Sequence, residues 1–262
     1  LHCSPEIRIS SVPLSEAQAH FWNDVYTKGL AEFYYRAKID FRGLVSFPYQ
    51  KVSLAPSRLK IRDGAHTLLL LGGGKDSIVA AELLREADVP FDIFTIGLNR
   101  TQQRVSAIVA TQRYTVYRIR DPQLKDIMRD ERVPRGAPSG CWIIFLASLY
   151  AALNGYRYIA IGNESSADLG NLTYLDLNVN HQWSKSSEFE QLVQEYITQS
   201  ISPDITPYSP IRSISEIEST RRFSSYPEYF TAFSSCNMHI RLPREGTEAT
   251  RPNRAFWCNT CT

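Results

Sequence analysis

No stretch of this sequence is apolar for long enough to cross a bilayer as a helix, which takes about 20 consecutive apolar residues. The chain also lacks an excess of one charge, since 29 basic and 27 acidic residues leave a net charge of +2. Domains that bind nucleic acids usually carry a strong basic excess. The composition therefore argues against both a membrane and a nucleic acid as partner.

Cysteine is scarce and odd in number, with five residues in the whole chain. A disulfide framework would need an even set, so we expect a reducing, cytoplasmic setting. No secretory signal peptide opens the chain, and Leu1 in place of methionine makes us expect that the natural N-terminus is missing. What the chain does have is 43% hydrophobic residues over 262 positions, enough for one large domain or one domain with an appendage.

The segment 67–77, TLLLLGGGKDS, is the most informative part of the sequence. Its leucines predict a buried parallel strand at 67–71. Gly72, Gly73 and Gly74 allow a tight turn, and a helix is predicted from Asp76 to Asp88. Free backbone N–H groups and the positive end of the helix dipole would then point at an anion, so this segment predicts a phosphate site. The plainer alternative is an ordinary glycine-rich turn.

The order of residues in this loop fits neither the Walker loop nor the dinucleotide fingerprint. It resembles the Ser-Gly-Gly-x-Asp-Ser loop of the ATP pyrophosphatases, although Gly72 stands where that family usually has serine. Asp76 is predicted to bind Mg²⁺ or to orient the nucleotide, because magnesium prefers one or two carboxylates beside phosphate oxygens. Lys75 and Ser77 are expected to contact phosphate; the alternative for Lys75 is a solvated loop lysine.

Strands and helices alternate after residue 66, which predicts an α/β fold with a parallel sheet covered by helices on both faces, of the adenine nucleotide alpha hydrolase type. The predicted strands are 67–71, 91–96, 115–119 and 158–161, and the predicted helices 76–88, 101–112, 141–154 and 187–200. An aromatic-rich segment, 1–62, precedes the nucleotide-binding domain, 63–200, and a cysteine-containing segment, 201–262, follows it. Outside the domain we expect helices at 17–36 and 213–223 and a proline-rich linker or loop at 202–210.

A second polar loop, GNESSAD, follows the strand at 158–161. Ligands of parallel sheets lie at the carboxyl ends of the strands, so this loop is expected to share a pocket with the first. Gly162 and Asn163 are predicted to bind the nucleotide, and Glu164 and Asp168 to serve as acid–base or metal-binding groups. The alternative is a helix N-cap region, where serine and acidic residues are common.

The end of the chain carries Cys236, Cys258 and Cys261, the last two in a Cys-x-x-Cys pair. This spacing predicts a structural Zn²⁺ site, with His239 as one candidate for the fourth ligand and a residue beyond Thr262 as the other. The alternative is a tail of unliganded cysteines. Cys141 is mostly expected in the core, but its place at a helix N-terminus keeps it as a candidate reactive thiol with a lowered pKa.

Several stretches together resemble one branch of the ATP pyrophosphatases, the bacterial UDP-N-acetylmuramoyl-L-alanyl-L-glutamate epimerases of peptidoglycan synthesis. These stretches are FWNDVY at 21–26, IDFRGLV at 39–45, GGGKDS at 72–77, GNESSA at 162–167, SCN at 235–237 and WCNTC at 257–261. The resemblance implies a cytoplasmic isomerase that uses ATP and Mg²⁺ to adenylate the glutamate carboxylate of a UDP-linked muramoyl dipeptide, releasing pyrophosphate and AMP. It also implies that the chain continues beyond Thr262.

The general base that such an epimerisation needs is left open by the sequence, with Glu164, Asp168, His181 and Cys141 as candidates. Other readings also remain open. They are an enzyme similar to 7-cyano-7-deazaguanine synthase, a tRNA-modifying adenylating enzyme, and a nucleotide-binding module without turnover.

Overall fold

The structure, a computed structural model, describes residues 7–10, 12–51, 66–119, 121–123 and 139–236. These residues divide into two compact units, each assembled from separate parts of the chain. The first draws on Leu1–Arg62, Ile119–Tyr158 and Ser165–Tyr208, and the second on Asp63–Arg118, Ile159–Glu164 and Ser209–Thr262. None of the described helices is both long and apolar enough to span a membrane.

The main sheet has five strands in the order β3-β2-β1-β4-β7. Their bounds are β1 Thr67–Leu70, β2 Phe91–Ile96, β3 Arg113–Val116, β4 Tyr158–Ile161 and β7 Thr206–Tyr208. β1 pairs in parallel with β2, and β2 with β3. β1 and β2 lie inside the sheet, and every residue of β1 is buried, as the leucine run predicts for a central parallel strand. The predicted α/β fold with a parallel sheet is confirmed.

Helices of the second unit alternate with these strands. They are α3 Lys75–Glu86, α4 Arg100–Val109 and α7 Glu216–Ser224. α4 begins at a capping box, in which Asn99 Oδ1 accepts the Gln102 N–H at 2.8 Å and Gln102 Oε1 accepts the Asn99 N–H at 3.0 Å. α3 packs against α7, which places the first turn of α3 beside the C-terminal part of the chain.

The first unit contains the helices α1 Glu16–Thr27, α2 Ala31–Ala37, α5 Ser139–Asn154 and α6 Ser187–Ser200, and the antiparallel hairpin of β5 Leu172–Tyr174 and β6 Leu177–Val179. Several of the N-terminal aromatic residues form a cluster with α5 and α6. The ring of Phe21 lies 5.9 Å from that of Phe145 and 4.4 Å from that of Tyr196, and Trp22 Nε1 donates a hydrogen bond to Tyr196 Oη at 3.2 Å. These rings therefore form core.

Four local predictions are wrong. The helix expected at 17–36 is two helices, α1 and α2, and the segment 202–210, expected to be a linker or loop, contains β7. The helix expected to begin at Ser213 begins after Ser215, whose Oγ accepts the Glu218 N–H at 3.3 Å. The third strand is Arg113–Val116, slightly earlier than the 115–119 that we predicted.

A buried carboxylate on α3, that of Glu82, is hydrogen-bonded to a tyrosine in the turn that follows α7. Glu82 is only 5% exposed; it accepts hydrogen bonds from Tyr229 Oη and, at 2.5 Å, from Arg85 Nη1. Arg85 Nη2 in turn donates to Val109 O at 2.8 Å. Burial, with this hydrogen bond to Glu82, raises the pKa of Tyr229, so the phenol stays a proton donor.

Replacing Tyr229 with phenylalanine should lower the free energy of unfolding by about 2 kcal/mol, because Glu82 would lose a buried donor. Urea denaturation of Y229F and wild-type protein measures this difference. Tyr226→Phe is the matched control, since Tyr226 Oη donates at 2.7 Å to Glu86, which lies at the exposed surface. Equal losses in the two variants would contradict the role given to the buried carboxylate.

Candidate functional site

The two predicted loops follow neighbouring strands, β1 and β4, at the point where the strand order reverses. In open α/β sheets this switch point is where ligands bind, outside the carboxyl ends of the strands. The first loop runs from Leu71 to Gly74 and leads into α3, and the second begins at Gly162. The first loop and residues 162–164 of the second belong to the second unit.

Gly73 gives the first loop its shape. Its φ of +89° is in the region that glycine adopts most easily, and a Cβ there would lie 2.9 Å from Thr101 Cγ2. The Gly73 N–H donates to Ser77 Oγ at 3.2 Å, and the Ser77 hydroxyl donates to Gly74 O at 2.9 Å. Ser77 therefore holds the loop together, and its predicted contact with phosphate stays a prediction.

Open space adjoins this loop at two glycines. A Cβ added at Gly72 or at Gly97, which follows β2, would meet no atom within 4 Å among the described residues. Gly74 is the N-cap of α3 and offers no side chain to the first-turn N–H groups. The loop and the helix N-terminus thus leave room for an anion next to backbone donors.

Asp76 lies in the first turn of α3, and one of its two carboxylate oxygens is held firmly. Lys75 Nζ lies 2.6 Å from Asp76 Oδ1, and the buried Ser219 hydroxyl donates to the same oxygen at 2.7 Å. Lys75 Nζ is also 3.6 Å from Glu216 Oε1, and its side chain is only 14% exposed. Lys75 is therefore part of an ion pair and not a freely solvated lysine.

Gly162 brings the second loop against the first turn of α3. A Cβ at this position would lie 2.7 Å from both Asp76 C and Asp76 O, and 2.9 Å from Ser77 N. Such distances are too short for any side chain, so only glycine permits this approach. The prediction that the loops after β1 and β4 meet is supported by this contact.

Asn163 and Glu164 follow Gly162 and are both buried. Ser209 fixes the loop, since its Oγ accepts the Asn163 N–H at 3.1 Å and its hydroxyl donates to Asn163 O at 2.7 Å. Arg212 Nη1 donates to the carbonyl oxygen of Glu164 at 3.3 Å. Two residues from the carboxyl-terminal part of the chain therefore hold the backbone of the second polar loop in its conformation.

Asp168 and His181 belong to the first unit, whereas Asp76 and Glu164 belong to the second. Asp168 Oδ1 accepts the N–H of Ser187, the first residue of α6, at 2.6 Å. A carboxylate at a helix N-terminus is stabilised by the helix dipole, so Asp168 anchors α6. His181 is exposed, with its Nδ1 2.7 Å from Asn171 Oδ1. A catalytic role for either residue stays a prediction.

The predictions made for the cysteines have different outcomes. Burial raises the pKa of the Cys141 thiol to about 12, so the candidate reactive thiol with a lowered pKa is wrong. Cys236 is buried in the second unit. Cys258, Cys261 and His239 lie outside the described residues, so the Zn²⁺ site remains a prediction. Among the described residues no group of three or more His, Cys, Asp or Glu side chains could hold a metal ion.

Sequence reasoning missed the contribution of the C-terminal segment to this site. Ser219 and Glu216 on α7 contact the Asp76–Lys75 pair, and Ser234 and Ser235 contact the glycine loop. The only signal was the stretch SCN at 235–237, which we had attributed to metal binding and to the family resemblance. Serine contacts over such separations leave no periodic pattern in the sequence.

Comparison with protein families gives a match over residues 1–210 to the model of the MurL N-terminal domain. The chain belongs to the MurL N-terminal domain family. Three curated relatives are similar to it, all named UDP-N-acetyl-alpha-D-muramoyl-L-alanyl-L-glutamate epimerase. They come from Xanthomonas oryzae pv. oryzae, Micromonospora sp. and Salinispora tropica, with 33%, 30% and 28% identity over 98% of this chain.

This MurL-family chain spans only about half the length of those relatives, 55%, 56% and 55% respectively. Among solved structures, it is similar to a predicted subunit of a tRNA methyltransferase from Methanocaldococcus jannaschii, with 15% identity and a TM-score of 0.37. That match covers 61% of this chain and 75% of the other. A likeness at this level supports no conclusion about fold or activity.

Proposed function

We propose that this chain is the ATP-binding part of a cytoplasmic epimerase that inverts the terminal L-glutamate of UDP-N-acetylmuramoyl-L-alanyl-L-glutamate in peptidoglycan synthesis. The substrate follows from the names of the relatives and from membership of the MurL N-terminal domain family. ATP binding is supported chiefly by one observation, the close approach of Gly162 to the first turn of α3. It joins two loops at the switch point of a parallel sheet.

The proposed reaction begins with attack of the glutamate carboxylate on the α-phosphorus of ATP. A P–O bond to the carboxylate forms, the bond to the β-phosphate breaks, and pyrophosphate leaves. The α-proton of the resulting acyl adenylate is much more acidic than that of the free carboxylate, because its removal no longer builds a dianion. Deprotonation, return of a proton from the opposite face and hydrolysis by water then release AMP and the D-glutamate product.

The glycine loop would bind the phosphates through the N–H groups near Gly72 and the N-terminus of α3. Lys75 would offset part of the phosphate charge while remaining paired with Asp76. The tight turn at Gly73 fixes the direction of these donors before ATP arrives. Preorganised donors of this kind lower the barrier because they need no rearrangement during the reaction.

Magnesium fits the donor set at Asp76. Oδ1 is occupied by Lys75 and Ser219, and Oδ2 accepts no hydrogen bond from the described residues, so it is available as a ligand. One carboxylate oxygen together with phosphate oxygens and water matches the ligands that Mg²⁺ prefers. When bound, the ion would supply charge compensation for the leaving pyrophosphate. Asp76 would hold the ion, and Ser219 would keep the carboxylate turned toward it.

Glu164 is our proposed general base. Of the candidates it is the one that the second unit carries in the loop next to Asp76, and it is 8% exposed. A carboxylate in a site from which water is excluded can remove a proton from carbon more readily than a solvated one. Asp168 is already engaged at the N-terminus of α6, and Cys141 keeps its proton at neutral pH.

The test is to incubate the chain with ATP, Mg²⁺ and UDP-N-acetylmuramoyl-L-alanyl-L-glutamate, and to follow pyrophosphate release and the chirality of the glutamate. Dipeptide-dependent pyrophosphate and D-glutamate are the expected results. Pyrophosphate release with unchanged L-glutamate would overturn epimerisation by this chain while supporting adenylation. No dipeptide-dependent pyrophosphate release would overturn the proposed chemistry altogether.

A further inference from the structure

The segment Ser234–Cys236 lies directly on the glycine loop of the second unit. The Ser234 N–H donates to Gly73 O at 3.2 Å, and the Lys75 N–H donates to Ser235 Oγ at 3.2 Å. A Cβ at Gly74 would lie 3.2 Å from Ser235 Oγ, so the missing side chain of Gly74 makes room for this hydroxyl. A backbone contact and a side-chain contact thus fix the segment at the N-terminus of α3.

A hydrogen bond within the segment fixes the backbone around Ser235. Ser234 is fully buried, and its Oγ accepts the N–H of Cys236 at 3.2 Å. Ser235, between these two buried residues, is exposed to solvent. Its hydroxyl is therefore presented at the surface of the loop by a backbone that the Ser234 N–H ties to Gly73 and that a local hydrogen bond to Cys236 closes into a turn. This placement differs from that of a serine on a free tail.

The hydroxyl of Ser235 still has a proton to donate. Its oxygen accepts the Lys75 N–H, and within the described part of the chain its own O–H has no acceptor. A hydroxyl can donate one hydrogen bond while it accepts others. A phosphate oxygen bound at the N-terminus of α3, beside Gly74 and the Lys75 N–H, would supply that acceptor.

The charges around the loop make such a neutral donor useful. Lys75 Nζ is paired with Asp76 at 2.6 Å and lies 3.6 Å from Glu216, so its positive charge is largely balanced before any ligand binds. Binding of a polyphosphate must then depend strongly on uncharged donors, such as backbone N–H groups and hydroxyls. Ser235 adds a donor at this point without adding charge.

From these contacts we infer that Ser235 is a phosphate ligand of the glycine loop, contributed by the C-terminal segment and donating its hydroxyl to an oxygen of the bound polyphosphate. This inference rests on the proposed function, since the polyphosphate is that of ATP and of the pyrophosphate it releases. The opposite role would be that of a plug, in which the hydroxyl occupies the Lys75 N–H and must leave before phosphate can bind.

Titration calorimetry with inorganic pyrophosphate and Mg²⁺ tests the inference without requiring turnover. Ser235→Ala should weaken pyrophosphate binding about 10-fold, as expected for the loss of one hydrogen bond to a charged group. Ser235→Thr, which keeps the hydroxyl, should bind within about 2-fold of wild type. Ser225→Ala, at an exposed serine just after α7, is the matched control and should leave affinity unchanged.

Each other outcome has a definite meaning. Unchanged affinity in S235A would overturn the role of Ser235 while leaving the phosphate loop intact, and tighter binding would identify the hydroxyl as a plug. Absence of pyrophosphate binding by the wild-type protein would instead overturn the phosphate site of the proposed function, and the inference with it. The wild-type measurement therefore tests the proposed function, and the ratio of variant to wild type tests Ser235.

Discussion

Replacing Asp76 with asparagine is expected to reduce ATP-dependent pyrophosphate release by about 100-fold or more, the size of effect seen when one preorganised electrostatic group is removed from an active site. The amide keeps the shape of the side chain and can still accept the Ser219 hydrogen bond. It loses the negative charge that would hold Mg²⁺ and that pairs with Lys75. Pyrophosphate release measured over a range of Mg²⁺ concentrations checks this expectation.

Folding should be little affected by this change. The Asp76 side chain is 35% exposed, and ion pairs of that exposure contribute about 1 kcal/mol or less to stability. Asp88→Asn is the matched control, because Asp88 lies just beyond the opposite end of α3 and has a φ of +52°, which asparagine tolerates. Full turnover by a folded D76N protein would refute the assignment of the loop.

The sequence predicted the strands and helices around the glycine loop well, because its signals there are local. The leucine run, the glycines and the following amphipathic segment specify β1, the loop and α3 within 20 residues. β2 and β4 were predicted with their observed bounds, since each is a short, mostly apolar run that ends at a glycine. The meeting of the two polar loops also followed, because parallel strands bring their carboxyl ends to one edge.

The wrong predictions concern segments whose sequence is compatible with more than one local structure. Ser213 and Ser215 are each followed three residues later by glutamate, so two overlapping capping boxes were possible, and the sequence could not choose between them. β7 contains Pro207, which we interpreted as a linker signal, although proline is tolerated in edge strands such as this one. Lys28 to Leu30 separate α1 from α2 through one glycine, a weak signal for a helix break.

The functional contacts of the C-terminal segment could not have been predicted in the same way. Ser219 and Ser235 reach α3 across more than 140 residues of sequence. A single serine on a short helix or a loop has no periodicity that would distinguish it from other polar surface residues. Only tertiary packing brings these hydroxyls to the glycine loop, for Ser219 through the packing of α3 against α7.

The second large effect is expected at Gly162. In Gly162→Ala the new Cβ would lie 2.7 Å from backbone atoms of Asp76, which cannot move aside as a flexible side chain could. Either the loop after β4 or the first turn of α3 must shift, at a cost in the free energy of unfolding of about 1–3 kcal/mol, as for other overpacked sites. The same shift would displace the phosphate donors, so pyrophosphate affinity should fall together with stability.

Urea denaturation and pyrophosphate titration of G162A measure the two consequences separately. Gly72→Ala is the matched control for the unfolding experiment, because it makes the same chemical change in the adjoining loop, where a Cβ meets no atom of the described residues within 4 Å. G72A should therefore unfold at the wild-type urea concentration. If G162A also unfolded at the wild-type urea concentration, the second loop could not approach the first turn of α3 as closely as the structure requires. That result would contradict a site shared by the two loops.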